Sequence, residues 1–452
     1  MQGLGLMIVF ILSIIVMVLA ISKFKIHPFL SIMGISLFLA IIAGIPLVEI
    51  PGVIGGGFSG TFTSIGIVII FGAMIGTLLE TTGAAIKLSD IVIKLVGKNK
   101  PELAIMLMGW VVSIPVFCDS GFVILNPIRK ALAKRTNASN VGMAVALSAG
   151  LYVSHVLIPP TPGPIAAANT LGIGSNLLLV IVLGVVCSIF PLIAGYFFAK
   201  YIGKKVVSED EILGPEDTVK TYDELVSEFG KLPSAFNALA PILVPILLMA
   251  LSSIFSILGL TGGIYDFFTF IGTPIMALGV GLLFAIALLG TSKKMDQFYG
   301  IVDETLKTVG PILFVTAAGG VLGKVIASSG LVDYITSAAG ILETIGIFFP
   351  FLLAAVLKSA QGSSTVAITT TAGIVAPLLG TLGLATPVLT ALTVMAIGAG
   401  AMTVSHANDS YFWVVTKFGG MKVSDGYKTQ TVLTLVMGLA AMLQIFIMSL
   451  FL

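Results

Sequence analysis

Four short polar clusters interrupt an otherwise oily chain. "PVFCDSGF" holds Asp119, Ser120 and Gly121, and "SHVLIPPTPGP" holds His155, Thr161 and Gly163. "LKSAQGSST" holds Lys358, Gln361, Ser363, Ser364 and Thr365, and "SHANDSYFW" holds His406, Asn408, Asp409 and Ser410. Hydroxyls and a carboxamide beside a glycine turn can hydrogen-bond a polyhydroxylated or carboxylate ligand at modest desolvation cost. Aspartate and histidine are natural proton carriers at membrane depth. The chemistry this set suggests is binding coupled to protonation. Asp119 and Asp409 as an aspartyl pair is the one enzymatic arrangement on offer, and nothing else supports it.

Each cluster also has a purely structural reading. An ionised carboxylate at a bilayer centre costs at least about 2.5–3.5 kcal/mol, so Asp119 must be paired, protonated or facing a wet cavity; it could equally cap a hairpin. Pro159, Pro160, Pro162 and Pro164 cannot all lie inside one helix. The segment is either a broken crossing or a loop at the membrane surface. Lys358 could attract an anion, pair with Asp119 or Asp409, or snorkel outward. His155 and His406 could carry protons or simply bond a neighbouring helix. A lone serine often only bonds the preceding helical turn, so the hydroxyl run beside Gln361 is the better sign of a ligand site.

The elements that hold these clusters must sit in lipid. Of 452 residues, 57% are apolar and 10% charged, against about 25% charged in a soluble domain. The apolar runs suit spanning helices of roughly 20 residues. The net charge of +2, with no basic run carrying interleaved aromatics, gives no reason to expect nucleic acid. Cys118 and Cys187 lie in apolar surroundings and form no disulfide framework. No zinc spacing and no phosphate-binding glycine loop appear, so neither metal, cofactor nor ATP hydrolysis is expected. Lys23 and Lys25 follow the first apolar run, which fits a retained helix with its N-terminus outside.

The pattern predicts an all-α membrane protein with about ten spanning helices, near 3–21, 29–49, 64–80, 140–158, 176–199, 238–260, 267–290, 309–327, 387–404 and 430–451. Residues 102–128 are too short for two crossings. As one crossing they would put Lys98 and Lys100 opposite Arg129, Lys130, Lys134 and Arg135, against the positive-inside rule. They are read as a re-entrant, cytoplasm-facing hairpin with Phe117–Phe122 at its tip, and 344–377 as a second, outside-facing hairpin. With both termini outside, 21 of the 23 Lys and Arg then fall on cytoplasmic segments and none in outer loops. Lys324 and Lys358 remain within the membrane.

The chain also repeats weakly. "GTLLETTG" at Gly76 matches "GKVIASSG" at Gly323, "LSDIV" at Leu88 matches "LVDYI" at Leu331, and "SH" recurs at Ser154 and Ser405, at offsets of 247, 243 and 251 residues. A first repeat over 1–200, with a broken helix at 140–172, is joined by a polar cytoplasmic linker at 201–236 to a second over 237–452, with a broken helix at 387–416. Five crossings per half make the repeats inverted, the pattern of secondary transporters that bind substrate near the midplane.

"PVFCDSGFVILNPIRKALAKRT", "HVLIPPTPGP", "LKSAQGSSTVAITTTAGIVAPLL" and "SHANDSYFWVVTKFGGM" resemble the gluconate permease family of bacterial sugar-acid:proton symporters, within the ion transporter superfamily. The resemblance spans essentially the whole chain. It implies an inverted-repeat, elevator-type carrier in the bacterial cytoplasmic (inner) membrane, a homodimer joined through its scaffold domain, with substrates such as gluconate, related hexonates, D-serine, D-glycerate and short hydroxy acids. Cys118 departs from the family pattern, where many relatives carry a second aromatic, and this bears on pocket size. The expectation is import of a small hydroxylated carboxylate by proton symport. Asp119–Gly121 and Ser363–Thr365 would cradle the ligand, Thr161–Gly163 and Asn408–Ser410 would complete the pocket, and Asp119, Asp409, His155 and His406 are the proton-carrier candidates. Sodium coupling and a passive anion channel are the rival expectations.

Overall fold

The computed structural model describes residues 4–88, 91, 100–208, 232–257, 262–330, 345–406 and 409–451, and every regular element among them is helical. The first half contains α1 (Leu4–Ser22), α2 (Pro28–Ala43), α3 (Ile50–Thr81), α4 (Pro101–Val112), α5 (Cys118–Thr136), α6 (Asn140–Leu157), α7 (Pro162–Thr170), α8 (Leu177–Cys187) and α9 (Ile189–Ile202). The second contains α10 (Ala235–Ile257), α11 (Gly263–Ile271), α12 (Pro274–Thr291), α13 (Phe298–Ser328), α14 (Phe348–Gln361), α15 (Ser364–Val375), α16 (Pro387–Met402), α17 (Ser410–Phe418) and α18 (Val432–Ser449). Seven helical stretches among the described residues are long and apolar enough to cross a membrane by length and composition, beside shorter apolar helices. Leu30, Leu247, Leu283 and Leu443 are among the large apolar side chains left exposed, a surface suited to lipid.

Helix starts follow local chemistry. Proline occupies the first turn of α2, α4, α7, α12 and α16, where its missing N–H costs nothing. Ser139 and Thr386 cap α6 and α16 by accepting hydrogen bonds from Gly142 N and Leu389 N.

Several elements depart from the sequence-based boundaries. The crossing expected at 64–80 is the end of a 32-residue helix that also absorbs the glycine-rich stretch from Ile50. The one expected at 309–327 begins at Phe298. A continuous helix is how backbone in an apolar setting satisfies its own hydrogen bonds. The crossing expected at 176–199 breaks at Ser188, just before Pro191, which lacks an N–H to continue it. Gln444 of α18 patches that break, accepting from Phe190 N at 2.9 Å and donating to Val186 O at 2.7 Å. The crossing expected at 267–290 divides before Pro274.

α4 and α5 occupy the stretch read as the first hairpin, and α14 and α15 the second. The first turn lies at 113–117, upstream of the expected Phe117–Phe122 tip, because Pro115 stops α4 and Cys118 already opens α5. Ser113 Oγ donates to Val116 O at 2.9 Å across this turn. Of the linker at 201–236, residues 209–231 lie outside the described residues, as does the "LVDYI" match at Leu331. Arg129, counted by sequence among the cytoplasmic charges, is fully buried. Its guanidinium donates to Asn126 Oδ1, to Asn140 O and to Phe418 O, tying α5 to the start of α6 and the end of α17.

α6 and α16 are the innermost helices, buried throughout from Val141 to Leu157 and from Thr390 to Met402. Each is gripped by a hairpin arm at a glycine. A Cβ on Gly150 would lie 1.9 Å from Met106 O of α4, and one on Gly400 would lie 2.2 Å from Phe351 O of α14. α3 and α13 run antiparallel, with Gly57 against Val321 at one end and Thr305 Oγ1 donating to Thr77 Oγ1 at 3.1 Å towards the other. Gly76 of α3 meets Pro115 of the first hairpin, and Gly323 of α13 meets Gly373 of the second.

Gly150→Ala should therefore cost at least about 1–3 kcal/mol, because backbone must move to admit one methyl group. Gly55→Ala, in a helix with nothing within 4 Å of the new Cβ, should change stability by no more than about 1 kcal/mol, towards stabilisation. Thermal unfolding of both variants in detergent checks this, and equal effects would contradict the close-approach account.

Candidate functional site

Three helix N-termini converge on one cavity. α5 begins with Cys118 and Asp119, α15 with Ser364 and Thr365 after the Ser363 N-cap, and α17 with Ser410 and Tyr411 after the Asp409 N-cap. All of these residues line a cavity of about 430 Å³. The sharp turn that delivers α15 is made by Gly362 at φ 90°, a conformation that favours glycine. Unpaired N–H groups and the helix dipole make each N-terminus favourable to negative charge.

A buried ion pair fixes two of these ends. Lys358 is 0% exposed and donates through Nζ to Asp409 Oδ2 at 2.6 Å and to Gly362 O. Asp409 also accepts from Ser405 Oγ at 2.5 Å and from its own helix at Tyr411 N, 3.1 Å away. The carboxylate is thus held by an ammonium, a hydroxyl and an amide, and the ammonium lies 5.7 Å from the centre of the Tyr152 ring. Of the sequence alternatives for Lys358, this geometry is pairing with Asp409. The turn between α14 and α15 is thereby tied to the start of α17.

Asp119 has a different environment. Its Oδ1 accepts from Ser410 Oγ at 3.2 Å and its Oδ2 lies 3.7 Å from Cys118 Sγ. No cation pairs with it among the described residues. With the Lys358–Asp409 pair neutral as a unit, an ionised Asp119 would be the cavity's one uncompensated side-chain charge among those residues.

The remaining wall is aromatic. Tyr152 and His155 are stacked on α6, with ring centres 6.5 Å apart, and Phe117 approaches His155 at 6.1 Å. Tyr411 sits 5.1 Å from Tyr152. His155 Nδ1 is buried without a hydrogen-bond partner among the described residues. Thr308 and Ile312 of α13 close the opposite side.

The structure thus brings together Asp119, His155, Ser363, Ser364, Thr365, Asp409 and Ser410. It does not bring Thr161, Gly163, Gly121 or His406 to the cavity wall. Thr161 turns its hydroxyl to Ile158 O at 2.7 Å, Gly163 packs on Ile368, and Gly121 packs on Leu151. His406 Nε2 lies 3.0 Å from Ser359 O, and so braces α14. Asn408 and the side chains of Ser120 and Gln361 lie outside the described residues. Sequence reasoning missed Tyr152, Tyr411, Thr308 and Ser405. Tyr152 stands three residues before His155, a spacing that shares a helix face, and Ser405 stands four before Asp409.

Removing one partner of a buried pair leaves an uncompensated charge, at a cost of about 3–5 kcal/mol. Lys358→Met and Asp409→Asn should each lower stability by that order, while the double variant should lose far less. Thermal unfolding of the four proteins checks this. A double variant as unstable as the sum of the two single losses would contradict the coupling.

Residues 5–451 match the GntP family permeases. The inner membrane permease YgbN of Escherichia coli is 32% identical over 455 residues, covering 98% of each chain. A gluconate permease of Pseudomonas aeruginosa is 30% identical over 445 residues, covering 97% of this chain and 96% of its own. The D-serine transporter DsdX of Escherichia coli is 30% identical over 446 residues, covering 97% of each. The backbone is similar to that of Neisseria gonorrhoeae MtrF, with a TM-score of 0.69 at 17% identity over 95% of this chain and 96% of that one. The chain belongs to the GntP permease family and is a transport protein, not an enzyme.

Proposed function

We propose that the chain is a secondary active transporter that imports a small hydroxylated carboxylate, gluconate or a related sugar acid, by proton symport. The observation that carries this reading is the Asp119 cavity: three helix N-termini and a row of hydroxyls around a carboxylate with no cationic partner among the described residues. The substrate carboxylate docks at the amide-rich ends of α15 and α17, and its hydroxyls bond Ser363, Ser364, Thr365 and Ser410. The gluconate permease among the relatives supports this substrate class.

The proton follows from charge. Two carboxylates in one cavity disfavour each other's ionised form. If Asp119 takes up a proton as the anion binds, the loaded and the empty cavity carry the same net charge. The protein then crosses between its two states without an extra buried charge in either direction. His155, on the same wall, is the candidate route for that proton. The two hairpins and two broken helices form the moving unit of an elevator, α3 and α13 belong to the stationary scaffold, and the assembly is a homodimer with both termini outside the inner membrane.

A second reading is favoured by the same lone carboxylate. An ionised Asp119 would pair with the ammonium of a hydroxylated amino acid, and DsdX is a D-serine transporter. Competition between labelled gluconate and unlabelled D-serine separates the two.

In proteoliposomes with the membrane potential clamped at zero, an inside-alkaline pH gradient should drive labelled gluconate above its external concentration. Asp119→Asn should abolish that accumulation while leaving exchange of internal for external substrate at least partly active. Replacing sodium with choline should change neither. Equal uptake with and without the gradient, or accumulation that needs sodium, would overturn proton symport.

A further inference from the structure

α13 serves two cavities. Thr308 and Ile312 line the Asp119 cavity. Gly320, Gly323 and Lys324, further along the same helix, line a second cavity of about 370 Å³. At 3.6 residues per turn, Thr308 and Lys324 point to nearly opposite sides of the helix, about 160° apart. Lys324 lies about 24 Å beyond Thr308 at 1.5 Å per residue. Between the two, α13 and α15 touch backbone to backbone: a Cβ on Gly373 would lie 2.3 Å from Gly319 O, and one on Gly323 would lie 2.5 Å from Gly373 O. The two cavities share no lining residue.

The second cavity is built around a charge. The stem of Lys324 lies against Gly57 of α3, where a Cβ on that glycine would come within 3.1 Å of Lys324 Cβ. The same Cβ would first meet the α13 backbone, at Val321 Cα (2.7 Å) and Gly320 O (3.0 Å). Thr170, at the end of α7, lines the facing wall. Among the described residues, neither the Lys324 ammonium nor the Thr170 hydroxyl makes a hydrogen bond or ion pair. Lys358 is buried and consumed by Asp409, whereas Lys324 is exposed. An exposed ammonium draws an anion best where a cleft focuses its field. Here it stands in a cavity roomy enough for a small molecule.

We propose that the Lys324 cavity is a second binding site, for the carboxylate of a small organic anion, at the end of α13 opposite the lysine-rich start of that helix. This inference rests on the import reading and its orientation: the lysine-poor end faces outside, so Lys324 is the cation that an incoming anion meets first. The site captures anions from the outer solution and raises their local concentration. It sets the apparent affinity for uptake and takes no part in the proton-coupled step at Asp119. Thr170 supplies a hydroxyl to the bound carboxylate, and the glycine floor from Gly57 to Gly60 lets it approach closely.

Uptake kinetics of labelled gluconate in proteoliposomes test this with Lys324→Gln and Lys324→Arg, each normalised to the amount of inserted protein. Loss of one charged hydrogen bond should raise KM about tenfold in Lys324→Gln, with maximal rate within about twofold of wild type. Lys324→Arg should recover most of the affinity. An unchanged KM, an equal fall in maximal rate, or no recovery with arginine would overturn the proposal. A direct reading uses the full chain with its lysines carbon-13 methylated, the Lys324 resonance being identified by its absence in Lys324→Gln. That resonance should shift on titration with gluconate and with acetate, and should not shift with glycerol. No shift with either anion overturns the site even if transport is normal. A wild-type protein that shifts but carries no gluconate overturns the import reading and upholds the site.

Discussion

The Lys358–Asp409 pair is the contact on which the site's geometry rests. It joins the tip of the second hairpin to the start of α17, two segments 51 residues apart in sequence. Both partners are buried, and Gly362 O, Ser405 Oγ and Tyr411 N supply further hydrogen bonds to them. A buried pair of this kind contributes little net stability relative to apolar packing, but its geometry is unforgiving. It holds the N-termini of α15 and α17 at one cavity. Ser410, the residue after Asp409, then reaches across to Asp119 on the first hairpin, so the two halves meet through adjacent residues.

Close packing supplies the frame for that contact. Lipid offers helices no hydrophobic drive to associate, so van der Waals contact between small residues does much of the work. Gly150 and Gly400, 250 positions apart, each admit the backbone of a hairpin arm, and Gly76 and Gly323 each admit a hairpin at a second point. The same device recurs at offsets of 250 and 247 residues. α6 and α16, pinned in this way, carry Tyr152 and His155 to one side of the cavity and Ser405 to the base of the ion pair.

Much of this was legible in the sequence because lipid makes polarity expensive. A lysine, two aspartates and a hydroxyl run inside apolar stretches had to be accommodated, and most of them line one cavity. The break between α4 and α5 was legible from the length of 102–128, too short for two crossings. What was not legible falls into two kinds. Boundaries at Ile50, Phe298 and Ser188 depended on glycine tolerance, proline and the reach of Gln444, which are tertiary matters. The roles of Thr161, Gly163 and His406 depended on which way a polar group turns: Thr161 satisfies its own helix start and His406 braces Ser359. Tyr152 and Tyr411 looked like ordinary core aromatics, and only the convergence of α6 and α17 makes them a wall.

The central claim is that the ends of α5, α15 and α17 form one anion site governed by Asp119. An experimental structure determined with gluconate bound tests it most directly. The account predicts the ligand in the Asp119 cavity, its carboxylate within hydrogen-bond distance of the amides at Ser364–Thr365 or Ser410–Tyr411 and its hydroxyls on Ser363 and Ser410. Gluconate bound elsewhere, with the Asp119 cavity holding only solvent, would contradict it.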